Sequence, residues 1–378
     1  MYRIKRELEE LEKSFNLRRI PGAGKRSGVL DFSTNDYLGL GTDRELRGEF
    51  FSNTAVQDIS LTSCASRLLA SEQEQFSDLE NLLATLYGKP ALLFNSGYHA
   101  NTGLVSSLGD KDTLIVADKL VHASIIDGAR LSSAEMQRFR HNDTGHLKRI
   151  LESKADSFKR ILIIVESVYS MDGDTAPLAE IAEIKRGYGN ALLYVDEAHA
   201  FGVCGARGLG LVADSEYAGD VDVTVGTFGK AAASQGAFAI MDESLRQYAV
   251  NRARSFIFST AIPPLNCAWT KFIVERIPSM SARREHLKSL AGRLHDRLCE
   301  ISPHFNASAA PSHIVPVVVG DSQKVLDYSR RLLEDGVIVL PIRTPTVPPH
   351  TERLRISLSA AMTDDDIDRL AASISKLS

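Results

Sequence analysis

Four ionisable side chains, each placed where a short apolar segment ends, could carry out chemistry together. They are His122, Asp196, His199 and Lys230. Ligands collect at the carboxyl ends of the strands in an open parallel sheet, so side chains at these points would meet in one site. A carboxylate, two imidazoles and an amine can together bind a carbonyl group, hold a charge and move protons. We expect these four to be the catalytic residues.

A turn suited to phosphate follows another apolar segment, residues 91 to 94. It contains Ser96, Gly97 and Tyr98 and leads into a predicted helix. Free N–H groups and the dipole at a helix N-terminus favour an anion. Taken alone, a turn of this kind or a single histidine is more often structural than functional. The joint order of turn, histidine, aspartate, histidine and lysine is what indicates a site.

This order matches the needs of pyridoxal-5′-phosphate (PLP) chemistry. A buried carboxylate such as Asp196 would keep the pyridine nitrogen of the cofactor protonated. His199 can hydrogen-bond the phenolic oxygen of the ring. Lys230 can bind the aldehyde and, once displaced by substrate, serve as a base. The sequence therefore predicts a PLP site.

Other ligands fit the same residues poorly. Residues 196–199 imitate a helicase box and residues 226–231 imitate a P-loop, which would make a helicase-like protein the remote alternative. A P-loop has four residues between its glycines and a hydroxyl after its lysine, whereas here two residues intervene and Ala231 follows. His141 and His146 lack the spacing of a zinc pair. We expect no metal.

The elements that must position these residues alternate between helices and short apolar strands. The predicted strands are residues 91–94, 113–118, 161–167, 191–196, 223–226 and 237–241. Continuous apolar strands separated by helices predict an α/β fold with a mainly parallel sheet covered on both faces.

A different pattern begins near residue 276 and predicts a smaller α+β domain. We expect a long helix over 281–301, three strands, and a last helix capped by Thr363. Residues 3 to 15 form an amphipathic helix that would dock on a neighbouring domain or subunit. The expected division is an N-terminal helix and arm (1–39), a large PLP-binding domain (40–276) and a small C-terminal domain (277–378).

Composition narrows the class of protein. The 378 residues are 44% apolar, and 44 basic residues against 48 acidic ones give neither a nucleic-acid nor a membrane footprint. The four cysteines are scattered, which argues against disulfides and zinc sites. The charged N-terminus lacks the apolar core of a signal peptide. We expect a cytoplasmic protein with a small-molecule substrate.

Longer strings resemble the α-oxoamine synthases, fold-type I PLP enzymes that join an amino acid to an acyl thioester with loss of CO2. The resemblance covers nearly the whole chain. The matching strings are residues 35–40, 96–98, 141–147, 170–181, 195–199, 227–230, 282–287, 345–348 and 353–361. It implies a fold-type I transferase with a mainly parallel seven-stranded sheet in the large domain, and a homodimer with shared active sites.

The resemblance also implies a role for each matching residue. Lys230 would hold PLP, Asp196 would meet its nitrogen, His199 its phenolic oxygen, and His122 would stack on its ring. Residues surrounding the cofactor would be Ser96, Gly97, Tyr98, Ser170 and Thr227, with Thr260 reaching the phosphate of the neighbouring subunit. Substrate contacts would come from Arg355, which would bind the carboxylate, and from Arg18 and Asn35.

The implied reaction is the condensation of L-alanine with a pimeloyl thioester of coenzyme A or acyl carrier protein, which gives 8-amino-7-oxononanoate for biotin synthesis. The reactions of 2-amino-3-ketobutyrate CoA ligase and serine palmitoyltransferase are alternatives within the family. A non-catalytic scaffold subunit is a remote alternative of another class. The presence of Lys230, Asp196 and His199 together argues against it, because a scaffold would need none of them. The segment 60–76 departs from the family, because residues 60–67 replace a glycine-rich turn and Ser71 and Phe76 replace the usual glycine and histidine. This departure puts the thioester entrance, and so the substrate, in question.

Overall fold

The computed structural model describes residues 2–20, 28–71, 73–302 and 310–377. The chain forms two compact units. The larger unit comprises residues 38–169 and 175–284, and the smaller unit comprises residues 1–37, 170–174 and 285–378. The N-terminal segment, which the sequence suggested as an arm, groups with the C-terminal segment in this division.

Elements are numbered along the chain. The strands are β1 (Leu30–Asp31), β2 (Ala91–Phe94), β3 (Thr113–Asp118), β4 (Glu135–Phe139), β5 (Arg160–Glu166), β6 (Ala191–Asp196), β7 (Val223–Thr227), β8 (Ala237–Met241), β9 (Ile314–Val318), β10 (Val337–Ile338), β11 (Leu340–Ile342) and β12 (Arg353–Ser357). The helices are α1 (Tyr2–Lys13), α2 (Arg44–Ser52), α3 (Glu74–Tyr87), α4 (Gly97–Leu108), α5 (Ala123–Leu131), α6 (Thr144–Lys154), α7 (Leu178–Arg186), α8 (Glu243–Arg252), α9 (Arg254–Ile257), α10 (Pro264–Val274), α11 (Ser281–Ile301), α12 (Ser322–Glu334) and α13 (Asp364–Ser375).

The larger unit contains a seven-stranded sheet in the order β2-β8-β7-β6-β5-β3-β4. Five neighbouring strands are parallel, and only β8 runs antiparallel to its neighbours β7 and β2. All six strands predicted from apolar runs are present. The predicted α/β class with a mainly parallel seven-stranded sheet is confirmed.

Alternation along the strands explains why both faces of this sheet are covered. On β3, Leu114 and Val116 belong to one apolar core while Ile115 and Ala117 belong to the other. Successive side chains of a strand point to opposite faces, so a continuous apolar run supplies both cores. The sheet is therefore buried, and its strand ends are where polar groups can meet.

Strand β4 was not among the predicted strands. Its sequence, EMQRF, is mostly polar, and it lies at the edge of the sheet, where β3 is its neighbour. An edge strand keeps one side toward solvent and tolerates charges that prevent pairing with other chains. Apolar runs therefore mark the central strands but not this edge.

One glycine is required where β7 approaches β8. A Cβ atom on Gly226 would lie 2.3 Å from Cζ of Phe238, an overlap that no side chain could accommodate. Only glycine lets this strand pack against the ring. Thr227, the next residue, ends β7 and leads to Lys230.

The smaller unit contains a three-stranded antiparallel sheet in the order β11-β12-β9 and a parallel pair of β1 and β10. Helix α11 occupies residues 281–301 as predicted. Thr363 caps α13 in a capping box with Asp366, so the predicted cap is also confirmed. The smaller α+β domain of the prediction is thus present.

Helix α1 exposes its apolar stripe. Ile4, Leu8, Leu11 and Phe15 each keep at least 41% of their surface exposed. The expectation that this face docks on another domain or subunit stays a prediction. Among the described residues, no helix is both long enough and apolar enough to cross a membrane.

Candidate active site

Seven of the predicted site residues line one cavity of about 150 Å³ in the larger unit. They come from the ends of β3, β6 and β7 and from the first turn of α4. These seven are Gly97, Tyr98, His122, Asp196, His199, Thr227 and Lys230. The structure therefore brings together residues that lie far apart in the sequence, as the strand-end argument predicted.

Lys230 lies in a tight turn after β7. Its Nζ is 2.7 Å from Nε2 of His199, which is only 5% exposed and follows β6. Backbone hydrogen bonds hold the turn, from Phe228 N to Gly236 O, from Ser234 N to Phe228 O and from Ala233 N to Lys230 O. The amine is thus directed at an imidazole, within the reach that proton exchange requires.

Asp196 ends β6 and is 4% exposed. Its Oδ2 accepts a hydrogen bond of 2.7 Å from Nδ2 of Asn101, and its Oδ1 accepts one of 2.9 Å from the backbone N–H of Ala198. A buried carboxylate is stable as an anion only when donors such as these satisfy it. Asp196 can therefore present negative charge to a cation in the cavity.

His122 is the N-cap residue of α5. Its Nδ1 is 2.7 Å from Oγ of Ser124 and 3.3 Å from the backbone N of the same residue. Desolvation lowers the pKa of His122; the Asp196 carboxylate opposes this shift, and the Lys230 ammonium adds to it. The ring is therefore biased toward its neutral form, which suits stacking on a heteroaromatic ring.

The predicted phosphate turn forms the start of α4. Ser96 is the N-cap, and its Oγ accepts a hydrogen bond from the backbone N of His99. A Cβ on Gly97 would lie 3.7 Å from Cβ of Thr227, so the first turn of α4 faces the end of β7. N–H groups of a first helical turn have no partner within the helix and attract anions.

Two further predicted residues have contacts of their own. The Thr227 hydroxyl donates to Gly236 O at 3.0 Å and accepts from Gly229 N at 3.3 Å. Thr260 forms a β-bridge with Ser66, and its carbonyl accepts from Asn95. Thr260 is not one of the residues that line the cavity, and its role toward a neighbouring subunit stays a prediction.

In the smaller unit, Arg355, Asn35 and Ser170 lie together. Arg355 is 3% exposed and donates to Ser170 O at 2.6 Å, to Ser357 Oγ at 2.6 Å and to Asn35 Oδ1 at 3.1 Å. Its remaining hydrogen bond, to Tyr37 OH, is long at 3.5 Å. Arg18 belongs to the same unit but instead donates to Thr346.

The acceptors of Arg355 are all neutral among the described residues. Its neighbour on the same face of β12, Arg353, forms an ion pair with Asp172. A buried cation without a matching anion is costly, and a bound carboxylate would remove that cost. This charge difference makes Arg355 the better candidate of the two for binding an acidic group.

Three residues that line the cavity were missed from the sequence: Asn101, Glu166 and Ala198. Asn101 lies one helical turn after Gly97 and so shares its face of α4. Glu166 ends β5 and is paired in register with Asp196. The strand-end rule that selected Asp196 could therefore also have selected Glu166.

The segment 60–76 keeps a glycine-like turn without glycine. Cys64 has φ +50°, a left-handed backbone conformation that residues other than glycine rarely adopt. Phe76, which stands where histidine is usual, is buried, and the Arg67 guanidinium lies 4.6 Å from the centre of its ring. This segment therefore has a buried aromatic side chain in place of the usual histidine, and a residue other than glycine occupies its left-handed turn.

The donor set fits PLP. The cavity contains a lysine amine for the aldehyde, a buried carboxylate for the ring nitrogen, two imidazoles for the ring and the N-terminus of a helix for the phosphate. Lys230 would hold the aldehyde and Asp196 the ring nitrogen. Among the described residues, no group of His, Cys, Asp and Glu side chains is arranged to bind a metal ion.

Comparisons with known proteins agree with this fit. The family model "Aminotransferase class I and II" matches residues 27–374. The 8-amino-7-oxononanoate synthase of Haemophilus ducreyi is 46% identical over 352 residues, which cover 91% of this chain and 90% of the relative. A solved structure of SPT with PLP matches with a TM-score of 0.90 at 28% identity, covering 99% of this chain and 96% of that one. The solved 8-amino-7-oxononanoate synthase of Francisella tularensis matches with a TM-score of 0.77 at 27% identity, covering 92% and 97%. The cofactor of this chain is therefore PLP.

Proposed function

From the premise that the chain belongs to the class I and II aminotransferase family, as an α-oxoamine synthase, we propose that it condenses L-alanine with a pimeloyl thioester. The products would be 8-amino-7-oxononanoate, CO2 and the free thiol of the acyl carrier. This is an acyl transfer with loss of the amino-acid carboxylate.

The observation that carries the proposal is the grouping of Lys230, His199 and Asp196 around one cavity. PLP, when bound, supplies the electron sink for negative charge at the α carbon of alanine. Lys230 Nζ removes the α proton, because it is the amine that lies in the cavity. His199 Nε2, at 2.7 Å, shares a hydrogen bond with that amine and keeps it directed at the reacting carbon.

The other cavity residues bind and orient. Asp196 keeps the proton on the ring nitrogen, since its carboxylate is buried and held by Asn101 and Ala198. His122 stacks on the ring, and the first turn of α4 with Thr227 binds the phosphate. Each of these roles holds the cofactor or stabilises charge, and none requires a metal ion.

Arg355 is the proposed ligand of the alanine carboxylate. Its guanidinium is kept rigid by Ser170 O, Ser357 Oγ and Asn35 Oδ1, and among the described residues Nη2 makes only the long hydrogen bond to Tyr37. A charge-assisted hydrogen bond from Nη2 would hold the carboxylate until it leaves as CO2. Arg18 and Asn35 are proposed as further substrate contacts.

The relative with the higher identity supports this amino acid and acyl group. The Haemophilus ducreyi 8-amino-7-oxononanoate synthase is 46% identical, whereas the solved structures of SPT and of the Francisella tularensis synthase, at 28% and 27% identity, do not separate the two reactions. Side chains, more than backbone, select the substrate, so the more similar sequence is the better guide. We further propose a cytoplasmic homodimer in which Thr260 reaches the phosphate of the neighbouring subunit.

A substrate panel tests the proposal. The purified protein with PLP would be given alanine, glycine or serine, each with pimeloyl-, acetyl- or palmitoyl-CoA and with pimeloyl-acyl carrier protein, and products identified by mass. We expect alanine with a pimeloyl thioester to give the highest kcat/KM. The Lys230→Ala variant, which should be inactive, measures the background of the assay. A higher kcat/KM for serine with palmitoyl-CoA would replace this proposal with the alternative reaction.

A further inference from the structure

A buried chain of hydrogen bonds joins the two sides of the cofactor site. Its members are Asn101 on α4, Ser124 on α5 and Tyr194 on β6. Asn101 Nδ2 donates to Asp196 Oδ2 at 2.7 Å and to Ser124 Oγ at 2.9 Å, while its Oδ1 accepts from Tyr194 OH at 2.7 Å. Asn101 is 2% exposed, and Ser124 and Tyr194 are fully buried.

The chemistry of the partners fixes the orientation of the Asn101 amide. A carboxylate accepts but does not donate, so the NH2 group must face Asp196. Burial, and secondarily the Asp196 carboxylate, raises the pKa of Tyr194 well above its ordinary value, so the phenol keeps its proton and donates. Both hydrogens and the oxygen of the amide are used, which no carboxylate or aliphatic side chain of this size could reproduce.

The hydrogen-bond partners of His122 fix its tautomer in the same way. The backbone N–H of Ser124 approaches Nδ1 of His122 and can only donate. Ser124 Oγ accepts from Asn101 and therefore has its own hydrogen free to donate to the same Nδ1. With Nδ1 acting as acceptor, the neutral ring carries its hydrogen on Nε2.

We propose that Asn101 and Ser124 are positioning residues that set the charge of the cofactor site, Asn101 by holding Asp196 as the carboxylate and Ser124 by holding His122 as the neutral Nε2–H imidazole. The inference rests on the proposed roles of Asp196 and His122. A neutral His122 matters because the protonated pyridine ring that Asp196 would hold places positive charge beside it, and a second cation there would be repelled.

The charged groups that face His122 are Asp196, Lys230 and Asp127. The two carboxylates favour the imidazolium, whereas Lys230 and desolvation oppose it. The hydrogen bonds donated to Nδ1 also disfavour the imidazolium, because Nδ1 can accept them only while it carries no proton. Removing the Ser124 hydroxyl should therefore make His122 easier to protonate.

The test follows His122 by NMR in the PLP-loaded protein labelled with ¹⁵N-histidine, with the His122→Gln variant used to assign its signals. We expect the parent to show a bare Nδ1 and a protonated Nε2 at neutral pH. Ser124→Ala should make protonation of His122 roughly tenfold more favourable, the loss of about one hydrogen bond. Asn101→Ala should shift the same signals although it does not touch the ring, and should raise the PLP dissociation constant roughly tenfold.

Thr102→Val is the matched control. Thr102 lies beside Asn101 on α4 and is buried, but its hydroxyl donates to the carbonyl of Tyr98 within the helix. This variant should leave the His122 signals and PLP affinity unchanged. The inference is overturned if His122 titrates in Ser124→Ala as it does in the parent, or if Thr102→Val moves it equally.

The outcome is separable from that of the proposed reaction. A parent protein with the expected His122 signals that fails to join alanine to any pimeloyl thioester would refute the reaction and leave the inference standing. Normal turnover with an Nδ1–H ring in the parent would do the reverse. Should Asn101→Ala fail to fold, as judged by circular dichroism, Ser124→Ala decides the matter, because it removes a single hydroxyl.

Discussion

The two units hold their functional side chains in different ways. In the larger unit, His122, Asp196 and Lys230 follow three different strands and converge where the parallel sheet ends. In the smaller unit, Arg355 lies inside β12, and Ser357 shares its face of the strand. A site at strand ends depends on the whole sheet, whereas a site within one strand depends on what neighbouring segments leave unsatisfied.

The compensation of charge differs accordingly. Asp196 is satisfied inside the larger unit by Asn101 and Ala198. Among the described residues, Arg355 donates only to neutral acceptors, whereas Arg353, two residues before it, forms an ion pair with Asp172. In the larger unit nearby donors balance the buried carboxylate, whereas in the smaller unit the buried guanidinium of Arg355 has no anionic partner among the described residues.

The largest expected effect is on the cofactor side. Lys230→Ala should lower turnover of alanine by at least about 10³-fold, because the site loses both its covalent anchor and its base. Steady-state kinetics and the visible spectrum of bound PLP measure this. The mild His286→Gln, on a residue whose ring bonds to the carbonyl of Met362 in the smaller unit, serves as the control. Turnover retained in Lys230→Ala would refute the role proposed for the cavity of the larger unit.

The second effect separates the two arginines of β12. Arg355→Ala should lower kcat/KM for alanine by about 100-fold, since a charge-assisted hydrogen bond to the substrate is lost. Arg353→Met should leave the KM for alanine nearly unchanged and lower the free energy of unfolding by about 1–3 kcal/mol, since Asp172 loses its partner. Kinetics and urea unfolding of both variants would reveal a reversal of these roles.

The third effect concerns a contrast inside the larger unit. Burial raises the pKa of Glu197 to about 7, against the bond from the Leu211 N–H, whereas the buried carboxylate of its neighbour Asp196 accepts two hydrogen bonds. The folded protein therefore binds a proton more tightly than the unfolded chain between the ordinary value of 4.5 and about 7, and the contribution of Glu197 to stability is lost as pH rises through this window.

Glu197→Gln should remove this dependence. The variant should gain about 2 kcal/mol relative to the parent between pH 5 and pH 8, since a neutral amide keeps an oxygen for Leu211. Urea unfolding of both proteins at the two pH values gives the difference directly. An identical difference at both values would mean that Glu197 is ionised throughout.

The smallest effect tests the turn that departs from the family. Cys64 has a positive φ, so Cys64→Gly should stabilise the protein by no more than about 0.5–1 kcal/mol, and Cys64→Val should destabilise it by about 1–2 kcal/mol. Thermal unfolding of the two variants measures the difference. Equal midpoints would show that the turn carries no strain.

The sequence alone determined the central strands, the cap of the last helix and the strand-end residues, since these are local properties. Apolar runs marked the central strands, Thr363 marked the start of α13, and Asp196, His199 and Lys230 stood where strands end. These signals lie within a few residues of each other and follow from burial and capping.

Only the tertiary structure decided which distant groups meet. Arg355 bonds to Asn35 across 320 residues, and Asn101 reaches Asp196 across 95. The polar edge strand β4 likewise became visible through its pairing with β3. Periodicity reports which face of an element is buried but not what it is buried against, so long-range partners and the charge balance of a site emerge only once the chain is folded.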